Sequence, residues 1–183
     1  MKQLLLIYFI LLSTFSYSQN TMSADSFLVL MEKKNNDFIN KPFPQFSVAT
    51  NNKECSNSTL KGKVVFINFW FAACAPCMAE MEELNKLFEK YKHDKNFQFV
   101  SFTFEKSKKI ALIKKKFKID YPVYSISQDE CYRLNNNNGF PTSVILDSTG
   151  TVQYIHSGDQ LNKQEIKKYF NAKVYPLLSK DLL

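Results

Sequence analysis

Two cysteines separated by two residues are the part of this sequence best suited to chemistry. Cys74 and Cys77 lie in a C-A-P-C segment. Thiols at that spacing can open and close a disulfide, which passes a pair of electrons without a metal or cofactor. We expect Cys74 at the N-terminus of a helix, where free N–H groups and the helix dipole favour the nucleophilic thiolate. Cys74 should therefore be exposed and attack, while Cys77 should face the core and resolve.

The residues on either side of this pair predict a strand followed by a helix. Residues 64–70 form a run that is apolar except at Asn68 and rich in Val, Ile and Phe, which is typical of a strand buried on both faces. Pro76 fits the first helical turn, where its missing N–H is not needed. Apolar residues then recur at steps of three and four and mark one face of a helix. They are Cys77, Met81, Leu84, Phe88 and Tyr91.

The rest of the chain predicts strands that alternate with helices, which indicates an α/β sheet. Further strands are predicted at residues 43–50, 56–60, 97–104, 121–126, 143–146 and 151–156. Helices are predicted at residues 21–35, 110–117, 127–134 and 162–176. Turns are expected at Asn51–Asn52 and at residues 147–150, and the second would make a hairpin. The hairpin makes the expected sheet mixed rather than purely parallel.

The first residues have the layout of a secretory signal peptide. Lys2 is followed by an apolar segment, residues 4–12, and then by small polar residues. That segment is short for a membrane span, which needs about 20 residues. An uncleaved anchor or a buried helix is the alternative. We therefore expect a signal peptide at 1–19, a helical extension at 20–42 and one domain at 43–183, with no lipid-modified cysteine.

The chain is basic, with a formal net charge of +7, and its lysines concentrate at residues 106–118. One interpretation is a patch that binds nucleic acid or an anionic membrane. The other is a solvated helix face, because Ile110, Ile113 and Phe117 mark a buried stripe between the lysines. Export favours the solvated face and argues against a nucleic-acid partner.

The segment NFWFAACAPC, with its amphipathic helix and the later Gly139–Thr142 segment GFPT, resembles the thioredoxin-like superfamily. The resemblance is closest to the TlpA and ResA type of extracytoplasmic thiol-disulfide oxidoreductase. Asn68, Glu80 and the sequence before residue 43 support that type. It implies a thioredoxin-like fold, with a central mixed β-sheet flanked by helices and an N-terminal β-hairpin extension.

The same resemblance assigns the residues that would surround the cysteines. Pro141 is expected in the cis form, which would place the backbone of Phe140 beside Cys74 and let it pair with a substrate strand. Trp70, Pro76, Phe140 and Pro141 are expected to bind substrate. Phe140 is bulkier than the residue common there, and Ala73 stands where a Trp often precedes the first cysteine.

Glu80 and Asn68 are the polar residues that could tune the thiols. In the group that the chain resembles, a Glu at the position of Glu80 takes part in thiol chemistry, as a base toward Cys77. The alternative is a solvated Glu in the first turn of the helix. Asn68 stands where cytoplasmic thioredoxins carry a buried Asp, and an Asn cannot act as a general base.

Cys55 and Cys131 are the remaining cysteines. One alternative is a structural disulfide between them, which would close a long loop and add roughly 4 kcal/mol in the chain-entropy model. The other is two buried free thiols. The sequence leaves both open, because it does not show the distance between the two residues. His93 and His156 have no ligand-like spacing to the cysteines, so we expect no metal and no cofactor.

Three functions are compatible with these residues. The resemblance favours a periplasmic disulfide reductase that acts on client proteins, receives electrons from a membrane thiol-disulfide donor and serves pathways such as cytochrome c maturation. A peroxidase of the same fold would want Thr or Ser three residues before its reactive cysteine, where this chain has Phe71. A non-catalytic or copper-delivering module usually spaces its cysteines by three and adds a matched His.

Overall fold

The computed structural model describes residues 23–50, 53–158 and 160–182. The chain divides into two units, Met1–Glu32 and Lys33–Leu183. The described residues of the first unit are Ser23 and residues 24–32 of helix α1 (Ala24–Phe38). The predicted signal peptide, residues 1–19, and the turn predicted at Asn51–Asn52 lie outside the described residues.

Seven strands and six further helices follow helix α1 in the described residues. In chain order they are β1 (Ser47–Thr50), β2 (Lys53–Ser56), α2 (Asn57–Leu60), β3 (Val64–Phe69), α3 (Ala75–Tyr91), β4 (Phe97–Thr103), α4 (Ser107–Phe117), β5 (Val123–Ser125), α5 (Gln128–Leu134), β6 (Thr142–Leu146), β7 (Val152–Ser157), α6 (Lys163–Tyr169) and α7 (Tyr175–Leu182). A π-helical segment, Phe170–Val174, joins α6 to α7.

Five of the strands form one sheet in the order β5-β4-β3-β6-β7. Strand β3 pairs parallel with β4 and antiparallel with β6, so the sheet is mixed, as the sequence predicted. Strands β4 and β5 are parallel, and β6 and β7 form the predicted antiparallel hairpin. Strands β1 and β2 make a separate two-stranded sheet, which is the expected N-terminal hairpin.

Strand β3 separates two layers of core because its successive side chains point to opposite faces of the sheet. Val64 and Phe66 face a layer that contains both cysteines of the C-A-P-C segment, the inner face of α3 and the C-terminal helices. Val65 and Ile67 face the other layer, which contains the buried residues of α5 and the β1–β2 hairpin. All six residues of β3 are buried, so the apolar run of the sequence is the centre of the fold.

The N-terminal hairpin differs from its predicted bounds. Its second strand ends at Ser56, and the predicted strand at 56–60 is instead the helical turn α2. The Ser56 N–H donates to Thr59 Oγ1 at 2.9 Å, and this local capping bond starts the turn. The first strand begins at Ser47 rather than at residue 43, because Pro42 and Pro44 have no N–H to donate to a ladder.

The C-terminal helix extends beyond its predicted end at residue 176. Asn162 caps α6, with its Oδ1 accepting from the Gln164 N–H at 2.8 Å. In the π-helical segment the Tyr175 N–H donates to the Phe170 carbonyl, five residues back. This wider turn precedes Pro176, which has no N–H and would crowd the carbonyl four residues before it. The helix therefore continues through the proline to Leu182.

Helix α4 carries most of the clustered lysines. Ile113 is buried, while the lysines on either side of it are mostly exposed, in accordance with a solvated helix face. Lys114 is half-buried, and its Nζ donates to the Tyr121 carbonyl at 2.9 Å. No described helix has both the length and the apolar character needed to cross a membrane.

Candidate active site

The two cysteines of the C-A-P-C segment lie where β3 gives way to α3. Cys74 is the residue that caps α3, and Pro76 lies in the first turn, as the sequence predicted. Cys74 and Cys77 form a disulfide with a Cα–Cα distance of 5.2 Å. The Cys77 N–H donates to Cys74 Sγ at 3.1 Å. After reduction this N–H and the helix dipole would stabilise a thiolate on Cys74.

Both sulfur-bearing residues are buried, which corrects the expectation that Cys74 is exposed. Cys74 is 5% exposed and Cys77 is 1% exposed. Phe71 and Phe140 pack against the core layer that holds both cysteines, and the sequence around Cys74 did not reveal this cover. Cys74 remains the more accessible of the two.

Glu80 is a buried carboxyl group in the second turn of α3. It is 5% exposed, and its Oε2 has no hydrogen-bond partner in the described part of the chain. Burial raises the pKa of Glu80 from 4.5 to about 7. The alternative of a solvated Glu in the first turn is therefore wrong. A carboxyl group with this pKa exchanges protons readily at neutral pH.

Glu80 packs directly against the segment that follows β7. A Cβ atom placed on Gly158 would lie 2.7 Å from Glu80 Oε1 and 3.5 Å from the Pro141 ring, so Gly158 leaves the space that the carboxyl group occupies. The Gly158 N–H donates to the Pro141 carbonyl at 3.2 Å. This contact joins the carboxyl group to the proline loop.

Two tyrosines, the buried Tyr121 and the half-buried Tyr169, interact electrostatically with Glu80. Burial, and then the charge of Glu80, raise the pKa of Tyr121. Burial raises the pKa of Tyr169, and the neighbouring Tyr154 and Glu80 raise it further. Both phenols therefore stay neutral at physiological pH. No local pattern predicts that Gly158 and these tyrosines lie near Glu80, because they come from distant segments of the chain.

Asn68 is a second buried polar side chain in the layer with the cysteines. It is 1% exposed, and neither atom of its amide has a hydrogen-bond partner among residues 23–50, 53–158 and 160–182. By strand alternation it shares the sheet face of Phe66. An amide neither takes up nor releases a proton near neutral pH, so Asn68 cannot exchange a proton with the thiols.

The proline loop has the form expected from the sequence. The Phe140–Pro141 peptide bond is cis. The Gly139 carbonyl accepts from Asn135 Nδ2 at 2.7 Å and from Thr142 Oγ1 at 2.8 Å, which fixes the loop before the proline. Gly139 has a φ of 80°, a conformation that favours glycine. Pro141 is buried, whereas Phe140 is half-buried.

The structure excludes one predicted substrate-binding residue. Trp70 has no exposed surface, and its Nε1 donates to Ser101 Oγ at 2.8 Å inside the core. It follows Phe66 on the same inward face of β3 and its extension, so it cannot touch a client. Pro76 and Phe140 are half-buried and stay available to one.

Cys55 and Cys131 do not form the disulfide that was one of the two expectations. Both are free thiols, 3% and 0% exposed. They lie in the core layer on the side of the sheet away from the C-A-P-C pair. Burial raises the pKa of Cys55 to about 11 and that of Cys131 to about 12. Neither thiol is therefore reactive near neutral pH.

Metal-binding side chains do not cluster in the part of the chain that the structure describes. It contains no group of three or more His, Cys, Asp or Glu side chains arranged to hold an ion.

Comparisons with known proteins agree with this geometry. Residues 39–172 match the Redoxin family. The chain is 34% identical over 128 residues to the thioredoxin-like protein YneN of Bacillus subtilis, which covers 68% of this chain and 75% of that protein. It is 29% identical over 140 residues to the thiol-disulfide oxidoreductase ResA of Bacillus thuringiensis, which covers 75% of this chain and 79% of that one.

A solved structure gives the same result. The crystal structure of a thiol:disulfide interchange protein of the thioredoxin family from Chlorobium tepidum superposes with a TM-score of 0.61 at 26% identity. The match covers 78% of this chain and 97% of the other.

Proposed function

The chain belongs to the Redoxin family and is a thiol-disulfide oxidoreductase, and from that premise we propose that it reduces disulfides of client proteins outside the cytoplasm. The observation that carries the proposal is the pairing of two features. A disulfide lies at the N-terminus of α3, and a buried carboxyl group without a charged partner lies in the next turn of the same helix. Once reduced to a dithiol, the first supplies two electrons to a client disulfide, and the second can accept the proton that Cys77 releases.

The reaction begins with the reduced dithiol. The Cys74 thiolate attacks one sulfur of the client disulfide, the other client sulfur leaves as a thiolate, and a mixed disulfide forms with Cys74. The Cys77 thiol loses its proton and attacks Cys74 Sγ. The second client sulfur leaves, and the Cys74–Cys77 disulfide forms again. The client gains two electrons from the dithiol and two protons, one released by Cys77 and one taken from water, which had received the Cys74 proton when the thiolate formed.

We assign Glu80 as the base that accepts the proton of Cys77. It lies one turn after Cys77 on the same helix, in the layer that encloses the disulfide. Because its pKa is about 7, the carboxylate is present at neutral pH and can accept the thiol proton. Cys77 is more deeply buried than Cys74 and has less access to water, so it has the greater need of an internal base.

Phe140, Pro76 and the backbone before the buried Pro141 are proposed to contact the client. The half-buried Phe140 and Pro76 offer apolar surface beside the cysteines, and the backbone before Pro141 can pair with an extended client segment. A membrane thiol-disulfide protein would then donate two electrons and reduce the Cys74–Cys77 disulfide to the dithiol. A client pathway that the resemblance suggests is cytochrome c maturation.

The direction of electron flow is tested by the reduction potential of the Cys74–Cys77 pair. Equilibration with glutathione buffers, followed by thiol counting, should give a potential near the reducing end of the range of roughly −270 to −120 mV that related proteins span. The reduced protein should also reduce insulin. A potential near the oxidising end, together with oxidation of reduced peptides, would reverse the proposed direction.

A further inference from the structure

Four aromatic side chains pack together near the segment that leads into Cys74. We call them the aromatic collar; they are Phe71, Phe104, Tyr132 and Phe140. Phe140 is at its centre, with ring centroids 5.4 Å from Phe71, 5.5 Å from Phe104 and 5.4 Å from Tyr132. Phe71 and Phe104 stack on each other at 5.3 Å. The four residues come from the loop after β3, the end of β4, helix α5 and the proline loop, so the fold assembles the collar from distant segments.

A backbone hydrogen bond links the collar to Cys74, the proposed attacking cysteine. The Cys74 N–H donates to the Phe71 carbonyl at 3.2 Å, and Phe140 directly precedes Pro141. All four side chains are half-buried, so each retains some surface in contact with water. Aromatic surface left in water beside a nucleophile can be covered by an apolar side chain of a partner, which gives both burial energy and edge-to-face contacts.

A cationic surface adjoins the collar. Lys106 caps α4 two residues after Phe104, and Lys108 and Lys109 follow in its first turn, which contains no acidic residue. All three lysines are exposed. Like charges at the positive end of a helix are unfavourable for the helix itself, so a partner with negative charge would relieve them. Glu105 is the nearest acidic residue in sequence.

Glu105, which precedes this helix, is hydrogen-bonded to the loop between β3 and Cys74. Its Oε1 accepts from the Ala72 N–H at 2.8 Å, between Phe71 and the C-A-P-C segment. This contact holds the residue that precedes the Lys106 cap against the segment between Phe71 and Cys74. Glu105 lies between Phe104 of the collar and Lys106 in the chain, and the backbone engages one oxygen of its carboxylate.

We propose that the aromatic collar and the first-turn lysines of α4 form one docking surface that selects clients. The surface fits a segment with an aromatic or large aliphatic residue next to its disulfide cysteine and with carboxylates further along. This inference rests on the proposed disulfide reduction and specifies which disulfides are reduced first.

Four symmetric peptide disulfides test it with the reduced full-length protein. Each peptide has one cysteine, preceded by Phe or Ala and followed by three Asp or three Lys residues. The Phe–Asp peptide should be reduced about ten-fold faster than the Ala–Lys peptide at low salt. Raising NaCl to about 0.5 M should remove the preference for Asp and keep the preference for Phe, because salt screens exposed charges.

Surface variants separate the contribution of the lysines from that of the aromatic collar. The triple variant Lys106→Ala, Lys108→Ala and Lys109→Ala should lose the preference for Asp and keep the preference for Phe. The matched control, Lys115→Ala with Lys116→Ala, removes exposed lysines from the other end of α4 and should keep both preferences. Phe104→Ala should reduce the preference for Phe.

The outcomes distinguish this inference from the function on which it rests. Equal rates for all four peptides would overturn the docking surface and leave disulfide reduction intact. Reduction of none of them, with a dithiol that is fully formed, would overturn the proposed function. Binding to anionic vesicles that is lost in the triple lysine variant, without any peptide preference, would assign the lysines to a lipid surface and overturn their role in client selection.

Discussion

Replacing Glu80 by glutamine keeps the shape of the side chain and removes its charge, and we expect the variant to be more stable than the wild type at pH 8. In the folded protein burial raises the pKa of Glu80 from 4.5 to about 7. Between these two pH values the unfolded chain releases the proton while the folded chain retains it. The free energy of unfolding of the wild type therefore falls as pH rises.

The size of the effect follows from the two pKa values. A difference of one in pKa corresponds to about 1.4 kcal/mol. A rise from 4.5 to about 7 therefore costs the wild type about 3 kcal/mol once pH exceeds 7. Glutamine does not titrate, so the stability difference between Glu80→Gln and wild type should be near zero at pH 4 and should grow to about this value at pH 8.

Urea unfolding of the oxidised protein from pH 4 to pH 8 measures this difference. At each pH the free energy of unfolding of the wild type is subtracted from that of the variant, so the contributions of other titrating groups cancel. Glu83→Gln is the matched control, since Glu83 lies on the same helix, is 7% exposed and pairs with Lys86 Nζ at 2.8 Å. It should not stabilise the protein at pH 8. A constant difference for Glu80→Gln across this range would refute the buried, unpaired state of Glu80.

Three further predictions come from other parts of the chain. Gly158→Ala should displace the Glu80 carboxyl group and move the pH at which Cys77 resolves a mixed disulfide, which stopped-flow kinetics across pH 5 to 9 would measure; an unchanged profile would contradict the close contact. Cys55 and Cys131 should resist alkylation in the native oxidised protein and react once it is unfolded, and mass mapping that found them bridged would contradict the two free thiols. Export with cleavage near residue 19 predicts a mature N-terminus at Gln19 or Asn20, and N-terminal sequencing that returned Met1 from a membrane fraction would contradict it.

The sequence predicts well those features that depend on neighbouring residues. The apolar run of residues 64–70 and the three-and-four spacing after Cys77 are local patterns, so the strand, the capped helix and the position of the dithiol could be read from them. The alternation along β3 also predicted the burial of Trp70. Trp70 falls on the same face as Phe66, and that face packs against the core.

Features that depend on distant segments could not be predicted in the same way. Cys74 is buried in a core layer against which Phe140 packs from a distant loop, and the pKa of Glu80 is raised by burial in surroundings that include Gly158. Whether Cys55 meets Cys131 is a question of distance across the fold, and no spacing in the chain answers it. The local motif therefore identifies the chemistry, while tertiary packing sets the access and the proton affinity.

The central claim is that Cys74 attacks clients and Cys77 resolves, and trapping of mixed disulfides tests it most directly. Extracts of cells that produce Cys77→Ser or Cys74→Ser would be quenched with acid, separated on non-reducing gels, and the adducts mapped by mass spectrometry. Because Cys74 is the more accessible sulfur and caps the helix, Cys77→Ser should accumulate client adducts through Cys74, and Cys74→Ser should accumulate almost none. Adducts formed mainly by Cys74→Ser would reverse the assignment, and the absence of adducts from both variants would indicate a purely structural disulfide.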